Sequence, residues 1–158
     1  MKPLRSALTV FLFCLLAQVV SGQTIQTVLP AYYSVKDALV ASDAARARKE
    51  AGSLLLALTK VSSSKLPEAD QEALEIARVK AAALNKTTNL TEQRELFDDL
   101  SKSLIQMART TKPGKTFVQF CPMAADGKGA SWLSDKKEIR NPYYGSKMLT
   151  CGKVTAEI

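Results

Sequence analysis

The chain has 158 residues, with 22 lysines and arginines against 15 acidic residues for a formal charge of +7, and it contains no histidine. A length of this order and 46 % hydrophobic content fit one globular domain. The missing imidazole excludes Ser-His and Cys-His nucleophile pairs, His-ligated zinc and His-ligated haem, so any metal chemistry falls to sulfur or carboxylate.

Lys2 and Arg5 precede an apolar run from Ala7 to Val20, followed by the small residues Ser21 and Gly22. A basic start, a short apolar stretch and a small-residue exit are the parts of a secretory signal peptide. The run is interrupted by Gln18 and falls short of the ~20 residues of a membrane span. Residues 1–22 are therefore read as a signal peptide cleaved near Gly22–Gln23, leaving a periplasmic chain with no membrane segment. Cys14 follows Phe13, where a lipoprotein carries a small residue, so lipidation is not expected. The mature chain keeps Cys121 and Cys151 and the methionines Met107, Met123 and Met148.

Residues 23–158 read as a single domain in two parts. From 24 to 111 the apolar residues recur at helical spacing and predict an all-α, up-and-down four-helix bundle. The first helix carries Ile25, Val28, Tyr32, Val35 and Leu39 on one stripe, with Pro30 opening or kinking it. Asp43 is placed to cap a second, whose stripe is Ala47, Ala51, Leu54, Leu58 and Val61 and which stops at Ser62-Ser63-Ser64. Pro67, with Glu68, Asp70 and Glu72, starts a third with acids at the positive end of its dipole and a stripe of Leu74, Ala77, Ala81 and Leu84. The fourth buries Phe97, Leu100, Leu104 and Met107 and turns Arg94, Glu95, Asp98, Asp99 and Lys102 mostly outward. Alanine-rich seams on the second and third helices permit close packing.

From 112 to 158 the pattern becomes irregular. Lys112-Pro113-Gly114-Lys115 breaks the helix, Thr116 to Phe120 alternates like a short strand, and Lys153 to Ile158 is placed to close a short hairpin-like pair beside it. Trp132-Leu133 and Ile139 read as apolar pegs between turns at 125–129 and 141–145. Some forty residues with so little regular structure cannot fold alone and must lie on the bundle or be fixed by a crosslink or metal.

Both mature cysteines lie in this part, in Cys121-Pro122-Met123 and Met148-Leu149-Thr150-Cys151. In an extended segment Cys121 and Met123 point to one side, and Met148 and Cys151 converge across a turn, so a Cys₂Met₂ constellation is geometrically reasonable. Thiolate and thioether select Cu(I), or Ag(I), over harder cations. Trp132 is a candidate cation–π cap on such a metal, and a packing anchor otherwise. Two cysteines in an exported domain more often form a disulfide, and methionines near them more often pack a core. Here Cys121–Cys151 would close a loop of about thirty residues worth ~3 kcal/mol. Free or redox-active thiols are the third fate.

The segments Cys121-Pro122-Met123-Ala124, Gly129-Ala130-x-Trp132-Leu133-Ser134, Lys137 to Gly145 and Met148-Leu149-x-Cys151-Gly152, with Tyr33 to Asp43 in the helical part, resemble an exported bacterial family, domain of unknown function 3347. The resemblance implies a place in or beside periplasmic components of heavy-metal efflux, copper above all. It carries Cys121, Met123, Met148 and Cys151 over as metal ligands. No segment is patterned as an adaptor barrel or long hairpin, so the expected role is binding Cu(I) or Ag(I) and buffering it or delivering it to an efflux component, rather than forming the adaptor. A non-enzymatic structural module with a Cys121–Cys151 disulfide is the alternative. No carboxylate pair is singled out for acid–base catalysis, and no enzymatic activity is expected. No basic helical stripe interleaved with aromatics points to nucleic acid. Residues 23–111 hold 12 basic and 11 acidic side chains, and 112–158 hold 8 and 4, so the surplus charge surrounds the sulfur motifs. Lys147 and Lys153 are expected to lower the thiol pKa values.

Overall fold

A computed structural model describes residues 24–158; the signal-peptide reading falls on residues outside the described range. Four helices follow in order, α1 (Ile25–Val40), α2 (Ala44–Thr59), α3 (Glu68–Leu84) and α4 (Leu90–Thr111), and then three strands, β1 (Phe117–Cys121), β2 (Ala130–Ser134) and β3 (Lys153–Glu157). Among the described residues no helix is long and apolar enough to cross a membrane.

The helices start and stop where the sequence has the chemistry for it. Asp43 caps α2 by accepting from the Arg46 amide at 2.9 Å, and Asn89 caps α4 by accepting from Thr91 and Glu92. Pro67 is the N-cap of α3, with Glu68 and Asp70 in the first turn. Pro30 lies inside α1, where its ring faces solvent and only one main-chain bond is forfeited. Lys112 ends α4 in the left-handed region at φ 45°, with Pro113 after it to prevent continuation. All four expected stripes are buried. Ala47, Ala51, Ala77 and Ala81 are 0 % exposed, so the seams bring helices close. Links as short as Ala41–Asp43 and Asn85–Asn89 fold α1 on α2 and α3 on α4 as antiparallel hairpins, giving the expected bundle.

The C-terminal part is more regular than the sequence pattern implies. The strand at 117–121 and the closing strand at 153–157 form as expected. The Trp132-Leu133 pegs, however, belong to a third strand, and the sheet is antiparallel in the order β2-β1-β3. Phe117 pairs with Ser134, Gln119 with Trp132 and Cys121 with Ala130. On the other side Phe120 pairs with Lys153 and Val118 with Ala156, with a bulge between Val118 and Gln119. Because β2 pairs only with β1, its far edge offers unpaired main-chain groups, and two phenols take them. The Tyr32 hydroxyl accepts from the Leu133 amide at 3.1 Å, and the Tyr143 hydroxyl donates to the Ser131 carbonyl at 2.8 Å.

An aromatic series joins the two parts. Tyr32 stacks on Phe97 at 5.1 Å, Phe97 lies 5.9 Å from Tyr143, and Tyr143 meets Trp132 edge-on at 6.0 Å. Helices and sheet share one hydrophobic core.

Candidate functional site

The sulfur motifs come together at one end of the sheet. Cys121 is the last residue of β1 and is 0 % exposed, opposite the buried Ala130. The register that sets Phe120 beside Lys153 would place Cys121 beside Gly152 one step further on, so Cys151 stands just past the end of the ladder. Gly152 adopts φ +140°, and a Cβ there would lie 2.9 Å from the Phe120 carbonyl and 3.0 Å from Trp132 Cη2. Only glycine lets the chain pass this close. The residue before it, Cys151, is thereby carried next to the end of β1.

The β1–β3 register thus brings Cys151 next to the end of β1 where Cys121 lies, and both cysteines are free. Interaction with the Cys121 thiol is the largest influence raising the Cys151 pKa above the ordinary thiol value, followed by desolvation and by repulsion between two developing thiolates. The Met123 main chain works the other way, lowering it. No lysine contributes, so the expected lowering by Lys147 and Lys153 fails at Cys151: exposed ammonium groups are screened by water.

Turns hold the second motif in place. Asn141 donates its side-chain amide to the Cys151 carbonyl at 3.0 Å and its main-chain N–H to the Leu149 carbonyl at 2.8 Å. Its side-chain oxygen accepts from the amides of Tyr143 and Tyr144. The Cys151 amide donates to the Met148 carbonyl at 3.0 Å, and Tyr144 donates its hydroxyl to the Met123 carbonyl. Gln119, 0 % exposed, donates its side-chain amide toward the carbonyls of Lys136, Lys137 and Glu138, pinning the crossing loop onto the sheet. None of these positioning roles is readable from spacing alone. Asn141-Pro142 signals a turn, but not the turn's partner.

The structure thus brings Cys121 and Cys151 to the same end of the sheet. Met123, two residues after Cys121, is 51 % exposed. Met148 is half-buried and tied to Cys151 through its backbone. Trp132 is fully buried on the same sheet face as Cys121, diagonal to it across the ladder, with its Cη2 corner against Gly152.

Among the described residues no group of three or more Cys, Asp or Glu side chains is placed to hold an ion. The donors at this end of the sheet are two thiols, with Met123 and Met148 close to them in sequence, a soft set. A cleft of about 610 Å³ opens between α4 and the turns at 125–128 and 143–147, and none of the four sulfur residues lines it. Two carboxylates on its wall are already engaged, Asp98 with Lys102 at 2.6 Å and Asp99 with Lys80 at 2.7 Å.

Fold and site define a helical-bundle domain whose terminal sheet presents a paired thiol. The chain belongs to the family described as Protein of unknown function (DUF3347), which matches residues 28–116. The match covers most of α1 and all of α2, α3 and α4 and ends before β1, so both cysteines lie outside it. No curated protein and no solved structure matches the chain.

Proposed function

We propose that this is a periplasmic, non-enzymatic protein that binds Cu(I) or Ag(I) at the Cys121–Cys151 pair and buffers the cation or delivers it to a metal-efflux component. The observation that carries this reading is the β1–β3 register, which sets Cys151 next to the end of β1 where Cys121 lies as a second free thiol, with Met123 on the adjoining turn. Thiolates bind Cu(I) at low coordination number, so two sulfurs with one or two thioethers suffice, whereas harder ions need oxygen ligands that this point does not supply.

The test is titration of the reduced mature chain with Cu(I) against a competing chelator. One equivalent is expected to bind, and binding is expected to vanish in the Cys121→Ser/Cys151→Ser variant. Met123→Leu and Met148→Leu are each expected to weaken it by about tenfold, the low end for losing a supporting group. Absence of stoichiometric binding, or binding indifferent to the loss of both thiols, overturns the proposal. The same thiol proximity favours one other reading, a structural module in which Cys121–Cys151 is a permanent disulfide. Protein purified from the periplasm without alkylatable thiols, and not reducible without unfolding, would support that one instead.

A further inference from the structure

The two sulfurs of the pair differ in access. Cys121 is 0 % exposed, enclosed at the end of β1. Cys151 is partly exposed, on a turn between the exposed Thr150 and the left-handed Gly152. Asn141 and the Met148 carbonyl hold its main chain in place next to the end of β1.

From this asymmetry we infer that Cys151 is the entry sulfur for exchange with a small disulfide and Cys121 the resolving sulfur, so that the pair cycles between a dithiol and an internal disulfide. The chemistry balances with a low-molecular-weight disulfide as oxidant. Cys151 gives its proton to water and attacks one sulfur of the oxidant, whose S–S bond breaks. One thiolate leaves, takes a proton, and a mixed disulfide remains on Cys151. Cys121 then loses its proton and attacks the Cys151 sulfur, expelling the second thiolate, which is protonated in turn. Two electrons pass from the protein sulfurs to the oxidant, and two small thiols are released. A bulky disulfide cannot reach Cys121 first, but Cys121 needs to meet only its neighbour. The regulatory consequence, that oxidation expels the cation by consuming both thiols, rests on the soft-metal reading above; the exchange itself does not.

Oxidised glutathione is the probe, and intact mass is the readout. Cys121→Ser is expected to accumulate a glutathione adduct on Cys151, and Cys151→Ser to react about tenfold more slowly or not at all. The unsubstituted chain should lose both thiols and release two glutathiones without holding an adduct. Since a hydroxyl at the buried position 121 can disturb folding, Cys121→Ala is run beside it and should form the same adduct. Equal or faster adduct formation on Cys151→Ser, or a stable adduct on the unsubstituted chain, overturns the inference. Cu(I) titration before oxidation, after it, and after re-reduction separates the two proposals. Exchange without any Cu(I) binding sinks only the metal reading, and Cu(I) binding without the asymmetry sinks only the exchange.

Discussion

Tyr32 places one hydroxyl between α4 and β2. Its ring is 0 % exposed, its oxygen pairs with Ser101 Oγ at 2.7 Å, and it accepts from the Leu133 amide. Tyr32→Phe keeps the stacking on Phe97 but strands a buried amide. The expected cost is about 2 kcal/mol in urea unfolding. Burial also pushes the Tyr32 phenol above its ordinary 10.0, and it raises Tyr33 and Tyr143 in the same direction. The folded state therefore holds these protons more tightly than the unfolded chain does. Their contribution is complete below pH 10 and is lost as pH rises beyond it. Thermal melts should be flat through pH 9 and fall steeply above 10, and Tyr32→Phe should blunt that fall. An unchanged alkaline slope in the variant would refute the assignment. That Tyr32 is buried is legible from its place on the first stripe. The duty of its hydroxyl is not, because its partners lie 69 and 101 residues away.

At the scale of elements, what can be read locally divides from what cannot. A helix declares itself by its own spacing, as all four do here, and α2 and α4 add side-chain caps. β2 is a strand because β1 lies beside it, and the five residues Ala130–Ser134 have no alternation strong enough to announce that. The same limit hides Arg94, which helical spacing turns outward with the acids of α4. In the fold it is half-buried, donating to the Pro142 and Leu39 carbonyls and to Ser42 Oγ. It thereby latches the turn at 141–145 to the end of α1, where Gly145, at φ +57°, has no room for a Cβ beside Ser42 and the Val40 carbonyl. Arg94→Met keeps the aliphatic stem and removes all three bonds. A loss of about 1–2 kcal/mol is expected. In hydrogen exchange, protection should drop across residues 141–152 while the interior amides of α2 and α3 keep theirs. A uniform loss over the whole chain would show that Arg94 supports the bundle in general rather than this latch.

For the whole molecule, the candidate site was legible as two sulfur-bearing segments, and their meeting rests on the β1–β3 register that the sequence hints at only through its closing strand. The family match stops at residue 116, which suggests a bundle complete in itself with the sheet as an appendage. The packing argues otherwise. Leu133, Trp132 and Tyr143 belong to the same continuous core as Phe97, Leu100 and Leu104, and the Tyr32 hydroxyl is satisfied from both parts. A core shared in this way couples the two parts into one cooperative unit. The chain contains a single tryptophan, Trp132, fully buried in the sheet, so its fluorescence reports the sheet while far-UV circular dichroism reports the helices. The two signals should share one midpoint and one slope in urea. Removing residues 117–158 should leave α1 and α4 with an uncovered apolar face, a broad melt and dye-binding surface. A Trp132 transition well before the helical one, or a sharp melt in the shortened chain, would instead establish the bundle as an independent unit carrying the thiol-bearing sheet as a separable attachment.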